Sequence, residues 1–349
     1  MNKYLFSLDY LRGLAAVSVC FFHFTTNLHY LENDDPVKHF FSFGHFGVQV
    51  FFIISGLVIP YSMAKGNYTI RKFSTFFKKR LIRIEPPYLF CVFLALLLNY
   101  ITTLTPFYVG KPFKIDYAQV FYHFGYLNIF MGKEWLNHVF WTLAIEFQYY
   151  LLIALIFPLV SHKKAYVWIT TLVLFNAASF FFNKNFVFHF SIFFTTGILL
   201  YRYFSEISGK SELSVALISV LAFLFLRYTY EEIIVVVFTI IVILIPLKPT
   251  LLSTFFGNIS YSLYLFHTPV GARLLHITRR FSDSESLRHG MILVAFIFSV
   301  LVSYFLYKII EKPFKKLSQK IRYDAAEPSV ITALAPQSIS SSDVKSFRA

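Results

Sequence analysis

The segment LDYLRGLAAVSVCFFHF, residues 8–24, is apolar along most of its length but carries Arg12 and His23. Eleven residues turn an α-helix by about three turns plus 20°, so both side chains lie on one face, roughly 16 Å apart along the axis. Ionisable groups are costly inside a membrane helix and usually face a protein interior or a water-filled cavity. The segment therefore predicts a membrane-embedded helix whose polar face is turned towards an interior where chemistry takes place.

The rest of the chain has the composition of an integral membrane protein. Of its 349 residues, 57% are hydrophobic and 14% are charged, whereas a soluble domain has about 25% charged residues. Forty-five Phe and 23 Tyr residues suit lipid-facing surfaces and interfacial belts. The net charge of +14 does not indicate a nucleic-acid partner, because the cations cluster between apolar spans, where topology signals belong.

Ten segments are candidate membrane spans, since a span needs about 20 predominantly apolar residues. They are residues 8–31, 46–64, 85–105, 138–160, 164–182, 186–204, 213–228, 231–248, 254–274 and 290–310. The predicted fold class is all-α, a polytopic bundle of about ten transmembrane helices within residues 1–316. Residues 317–349 are predicted to form a cytoplasmic, disordered tail.

The charges between the spans predict the orientation of the bundle. Residues 65–84 carry seven basic residues and no acidic one, so this loop is expected in the cytoplasm. With ten spans, both termini are then cytoplasmic. The external stretch 106–137 contains YHFGYLNIF (122–130), which is too aromatic for a plain linker and is expected to re-enter the membrane or cover a site.

Two buried ionisable residues are candidates for catalysis. His23 suits a general base or an acyl acceptor, because imidazole titrates near neutrality. It can equally be a structural residue whose imidazole forms a hydrogen bond to a neighbouring helix. Glu146 lies within the apolar WTLAIEFQYY (141–150), where a carboxylate needs a partner. It either orients His23, as a carboxylate orients a catalytic histidine, or forms a structural ion pair.

Arg80 and Arg83 form an R-x-x-R pair in FFKKRLIRIEPPY (76–88), just before the third span. Residues at positions i and i+3 share a helix face, and two guanidiniums placed in this way can clamp phosphates. The alternative is charge that sets topology or contacts anionic lipids. These two arginines are therefore candidates for binding a phosphorylated ligand.

The ninth span, within GNISYSLYLFHTPV (257–270), is unusually polar. Tyr261, Tyr264 and His267 recur every three residues and either line a substrate cavity or belong to an aromatic belt.

Trp141 is interpreted as an interfacial or packing residue that can also bind a sugar. Ser55 and Gly56, in GVQVFFIISGLVIP (47–60), are interpreted as a close helix contact. The histidines form neither H-x-x-x-H nor H-E-x-x-H, so no metal site is predicted.

In this order, the segments resemble membrane-bound acyltransferase family 3 over about residues 1–316. The motifs that carry the resemblance are Arg12-x10-His23, GVQVFFIISG, RLIRIEPPY, WTLAIEFQYY, NISYSLYLFHTP and EKPF. By position, the resemblance makes His23 the essential histidine, Arg12 the motif arginine and Glu146 the buried glutamate. It also implies that Arg80 and Arg83 contact the acyl donor.

The resemblance implies an enzyme that moves an acyl group, usually acetyl from acetyl-CoA, to a hydroxyl of a cell-surface or lipid-linked glycan such as the O-antigen of lipopolysaccharide. Such a stand-alone O-acetyltransferase lies in the bacterial inner membrane, contacts membrane lipids, and holds no permanently bound cofactor. A transporter or flippase for a glycan or an acylated compound is the alternative, but it predicts inverted repeats that the sequence lacks. A scaffold for envelope assembly gives no reason for the buried His23 and Glu146.

Overall fold

The computed structural model describes residues 6–27, 30–106, 108, 113–279 and 284–323, and this part of the chain contains helices and no strand. The α-helices, in chain order, are α1 Ser7–Phe22, α2 Pro36–Ser42, α3 Gly47–Lys65, α4 Phe73–Thr103, α5 Tyr117–His123, α6 Phe140–Val160, α7 Ala165–Ala177, α8 Ser191–Phe204, α9 Lys210–Arg227, α10 Tyr230–Leu244, α11 Leu251–His267, α12 Arg273–Thr278, α13 Glu285–Leu306 and α14 Lys312–Lys320. This arrangement confirms the all-α class.

Each predicted span overlaps one of the long helices, but only some of these qualify as membrane-crossing. Among the described residues, five helical stretches are long and apolar enough by length and composition, and they are Pro36–Lys65, Ile70–Thr103, Phe140–Val160, Val187–Phe204 and Glu285–Lys320. Others are shorter, since α1 has 16 residues and α10 has 15. A membrane-embedded helical bundle is therefore established, whereas the count of ten spans is not confirmed.

Two helix ends differ from the predicted boundaries. The third span was expected to begin at residue 85, but α4 begins at Phe73, so Arg80 and Arg83 lie inside the helix. The first turns of α4 are rich in charged residues and have the composition of a loop. They form a helix that packs along α14, where the Ser318 hydroxyl donates to the Lys79 carbonyl oxygen over 2.8 Å. Helix α14 also covers the first four residues of the predicted tail, and residues 324–349 of that tail lie outside the described residues.

Small residues bring two pairs of helices into close contact. A Cβ added at Gly197 of α8 would overlap the carbonyl oxygen of Ile53 in α3, and one added at Gly257 of α11 would lie 2.7 Å from Asp9 Cβ in α1. Gly56 makes a similar approach to α8, as the interpretation of the Ser55–Gly56 step predicted. Because lipid supplies no hydrophobic driving force between helices, such backbone contacts fix how helices pack in a membrane.

The aromatic stretch before α6 packs into the bundle. His123 is fully buried, and its Nδ1 lies 2.8 Å from the Tyr88 hydroxyl of α4. Tyr126 stacks on the same Tyr88 ring at 4.7 Å, and the Asn137 side-chain amide donates to the Leu265 carbonyl oxygen of α11 over 3.0 Å. The described part of this stretch therefore packs against α4 and α11, and its re-entry into the membrane or cover of a site stays a prediction.

Candidate active site

A cavity of about 130 Å³ runs through the centre of the bundle between α1, α3, α4, α6, α11 and α14. Along α3 it extends from Val48 to Ile59, which is twelve residues and roughly 16 Å of helix. Six of the nine site residues predicted from the sequence line this cavity. They are Arg12, Arg80, Arg83, Glu146, Tyr261 and Tyr264.

One end of the cavity is cationic, and we call it the arginine end. It is lined by Arg12, Arg83 and Lys315, and Arg80 lies between Arg83 and Glu146. These four cations outnumber Glu146 and Glu311, the two carboxylates in the lining. An excess of positive charge within an apolar bundle favours an anionic ligand, because charge interactions are stronger where water is scarce.

The two arginines of the R-x-x-R pair have different surroundings. Arg80 is only 7% exposed, and its guanidinium lies over the rings of Phe76 and Tyr150 at 5.4 and 5.6 Å. It interacts electrostatically with Arg83 and with Glu146, and Arg83 also interacts with Glu311 and Lys315. The two arginines are therefore neighbours that differ in their other charged partners, and their joint binding of phosphate stays a prediction.

The Glu146 carboxylate is held through one of its two oxygens. The Ser55 hydroxyl donates to Oε1 over 2.8 Å, and the Tyr150 hydroxyl donates to the same oxygen over 2.7 Å. Oε2 accepts no hydrogen bond from the described residues. The expectation that Glu146 orients His23 is therefore not met, because the carboxylate is turned towards α3 and its own helix. Ser55, interpreted from the sequence as a packing residue alone, is also part of the site.

The other end of this region contains three histidines, His23, His138 and His267, and we call it the histidine end. The ring centroids of His23 and His267 are 5.1 Å apart, and His138 is close enough to interact electrostatically with His23. His267 is fully buried, and its Nδ1–H donates to the Leu263 carbonyl oxygen over 3.0 Å. This bond assigns the tautomer, so Nε2 is the acceptor for the Thr268 hydroxyl, 3.2 Å away.

Tyr264 separates the cavity from the histidine pair. Its hydroxyl is hydrogen-bonded to the Thr142 hydroxyl over 2.6 Å. Its ring meets Phe51 edge-on at 5.6 Å on the cavity side and lies 6.2 Å from the His267 ring. We call this pair the Tyr264–Thr142 partition. His23 and His267 lie beyond it and do not line the cavity as described.

Trp141 is the third predicted site residue outside the cavity lining. Its indole packs against the Phe190 ring with centroids 5.6 Å apart. Trp141 is partly buried against the hydrophobic core. The contact agrees with the interpretation of Trp141 as a packing residue, and a sugar-binding role stays a prediction.

Several charged or polar residues of the cavity were not predicted from the sequence, among them Tyr150, Glu311 and Lys315. Glu311 is fixed by the backbone N–H and the hydroxyl of Ser262, at 3.2 and 2.6 Å. Lys315 directly follows the EKPF motif, and nothing in its local sequence distinguishes a ligand-binding lysine from one that sets membrane topology. Tyr150 follows Glu146 by one helical turn, which is the signal that would have linked them.

Irregular helical turns lie next to several of these residues. The described chain has π-helical turns at His23–Asn27, Thr268–Ala272 and Tyr307–Glu311. The first begins with His23, the second follows His267, and the third ends at Glu311. Single π-helical turns within α-helices are frequent at functional sites, so their positions agree with the two ends of the site.

One group of possible metal ligands lies apart from the cavity. Ligand atoms of Asp35, Glu285 and His289 lie within 4.8 Å of one another. However, Asp35 Oδ1 already accepts the backbone N–H groups of Val37 and Lys38, and its Oδ2 lies 2.8 Å from His289 Nε2. These bonds connect α2 to α13, and the prediction of no metal site stays a prediction.

Comparisons with known proteins point to one family. A family model described as an acyltransferase domain matches residues 5–308. The chain is 30% identical over 172 residues to the O-acetyltransferase OatA of Staphylococcus aureus, in an alignment that covers 46% of this chain and 26% of that protein. It is 27% identical over 294 residues to ORF330 of Acidianus two-tailed virus, provisionally named an acetyltransferase, covering 74% of this chain and 80% of that one. No solved structure matches the chain significantly.

Proposed function

Because the chain belongs to acyltransferase family 3, whose model spans residues 5–308, we propose that it is an O-acetyltransferase that moves an acetyl group from acetyl-CoA to a hydroxyl of a cell-surface glycan. The observation that supports this most directly is the central cavity, which leads from four cations towards a pair of histidines. Similarity to OatA, an O-acetyltransferase, supports transfer to oxygen. A bacterial O-antigen or a lipid-linked glycan is the acceptor class we propose.

The donor enters from the arginine end. Coenzyme A carries several phosphates, and guanidinium and ammonium groups are the side chains that bind phosphate. Arg83, Lys315 and Arg12 hold these phosphates, and the arm that carries the thioester extends along α3 towards Tyr264. This arrangement requires the arginine end to face the cytosol, with both termini cytoplasmic in a bacterial inner membrane, as the charge bias of the loops also favours.

Arg80 acts on the reacting bond rather than on the phosphates. When the thioester carbon–sulfur bond breaks, negative charge develops on the sulfur. A positioned cation in a dry site stabilises such charge strongly. Arg80 is the more deeply buried arginine of the R-x-x-R pair. The negative charge of Glu146 attracts its guanidinium and holds it in position.

His23 supplies the base at the histidine end. The acceptor hydroxyl gives its proton to the His23 imidazole while its oxygen attacks the thioester carbonyl carbon at the Tyr264–Thr142 partition. The carbon–sulfur bond then breaks, and the thiolate takes up a proton as the imidazolium returns to its neutral form. In the alternative route, His23 first accepts the acetyl group and then passes it to the hydroxyl.

Thioester consumption tests the proposed function. The purified protein in vesicles, supplied with acetyl-CoA labelled in the acetyl group and with glycan-bearing membranes, is expected to release coenzyme A and to transfer the label to the glycan. The position of the added acetyl group is then determined by NMR of the glycan. Passage of label across the vesicle membrane without any release of coenzyme A would instead identify a transporter.

The roles of the two arginines predict different kinetic effects. Arg83→Gln is expected to raise KM for acetyl-CoA by about 10- to 100-fold with little change in kcat, since a hydrogen bond to a charged group contributes about 1.5–3 kcal/mol. Arg80→Gln is expected to lower kcat instead. Arg288→Gln is the matched control, because Arg288 lies near Glu32 and the Tyr30 carbonyl oxygen, away from the cavity. Equal effects of Arg80→Gln and Arg83→Gln on KM would contradict the division of roles.

A further inference from the structure

We propose that Phe51 limits the length of the acyl group, so that the cavity accepts acetyl thioesters and rejects longer ones. The proposal rests on the proposed function, because it assigns a substrate class to the same cavity. Phe51 lines the cavity from α3 and belongs to neither the cationic nor the histidine cluster. It was not among the site residues predicted from the sequence.

One stripe of α3 faces the cavity. Phe51, Ser55 and Val58 are partly exposed, whereas their neighbours Phe52 and Ile53 are buried. The spacing of four and then three residues places the exposed side chains on one helix face. The stripe therefore runs along the cavity wall. Ser55 lies next to Glu146, and Phe51 lies one helical turn closer to Tyr264.

The orientation of acetyl-CoA in the cavity follows from the negative charge of its phosphates. With the phosphates at Arg83 and Lys315, the arm of coenzyme A leads away from the cations along this stripe. The arm has about twelve bonds, and an extended chain of that length reaches roughly 14 Å at 3.3–3.6 Å for every three bonds. Since the cavity spans roughly 16 Å of α3, the sulfur and the acyl group come to lie at the Phe51 end.

The side chains that surround the acyl group at this end differ in how they are held. Phe52 is packed between the rings of Phe190 and Phe194, at 5.2 and 4.9 Å. Tyr264 is tied to Thr142 by its hydroxyl. The Phe51 ring stands edge-on against Tyr264 and remains partly exposed to the cavity. Phe51 is thus the wall residue that is neither packed between two rings nor held by a hydrogen bond, and its truncation is expected to lengthen the cavity.

Coenzyme A release from acetyl-, butyryl- and octanoyl-CoA tests the proposal. The wild-type protein is expected to cleave acetyl-CoA with the highest kcat/KM and octanoyl-CoA with the lowest. Phe51→Ala is expected to raise the octanoyl-to-acetyl ratio of kcat/KM by about tenfold or more, because a single misfitting methylene in a closed pocket already changes kcat/KM by about 10- to 200-fold. Phe51→Leu, which removes less volume, should shift the preference towards butyryl-CoA.

Ile53→Ala is the matched control, because Ile53 lies in the same helix and is fully buried but does not line the cavity. It loosens the packing of α3 to a comparable degree and is expected to leave the ratio unchanged. An unchanged ratio in folded Phe51→Ala and Phe51→Leu proteins that still cleave acetyl-CoA would overturn the role of Phe51. An equal shift in Ile53→Ala would do so too. A wild-type protein that cleaves none of the three thioesters would instead refute the proposed function.

Discussion

Alanine in place of His23 is expected to lower acetyl transfer by about 10²- to 10⁴-fold, which is the range that a positioned acid–base group contributes. His23 lies beyond the Tyr264–Thr142 partition, outside the lining of the central cavity. The KM for acetyl-CoA is therefore expected to stay close to that of the wild-type protein. Initial rates of label transfer at varied acetyl-CoA concentration, normalised to the amount of folded protein, measure both effects.

His45→Ala is the matched control for this variant. His45 lies near the same end of the bundle, 5.2 Å from the Phe22 ring, but it is exposed and its Nδ1 lies 2.7 Å from the Ser42 carbonyl oxygen. Its replacement is expected to leave transfer unchanged. Wild-type rates in the His23→Ala protein would remove His23 from the mechanism. Recovery of labelled His23 after rapid denaturation would favour the acyl-carrier route over direct transfer.

Glutamine in place of Glu146 is expected to lower kcat by about 10²-fold, comparable to the loss of one group that stabilises charge in the transition state. The amide oxygen of glutamine can still accept the hydroxyls of Ser55 and Tyr150, so the shape of the site is kept. The variant removes the negative charge that interacts with Arg80. Steady-state kinetics together with the thermal unfolding temperature in detergent separate the loss of charge from a loss of stability.

Two further variants test whether the expected decrease in kcat comes from the charge of Glu146. Glu134→Gln, in an exposed position before α6, makes the same chemical change away from the cavity and is expected to have no effect. Tyr150→Phe removes one hydrogen bond to Glu146 but keeps its charge, so a smaller decrease in kcat is expected. A Glu146→Gln protein with wild-type kcat and unfolding temperature would show that this charge has no part in the reaction.

Much of the site was predictable because helical phase and hydropathy are local properties of the sequence. Arg12 is on the face that meets the interior, and Tyr261 and Tyr264 share one side of α11, as their spacing indicated. The R-x-x-R pair was identified from the same kind of spacing. Its placement inside α4 was not predicted, because the charged turns before residue 85 have the composition of a loop and are stabilised as helix by packing along α14.

The sequence by itself determined the helical, membrane-embedded class of this protein and which polar side chains occupy each helix face. Only the tertiary structure decided that Glu146 pairs with Ser55 and Tyr150, that Lys315 joins the arginines, and that Tyr264 stands between the cavity and His23. Contacts between helices depend on the tilt, rotation and relative height of separate helices. In a membrane these are fixed by close backbone contacts such as those at Gly56, Gly197 and Gly257, which the periodicity of a single helix does not encode.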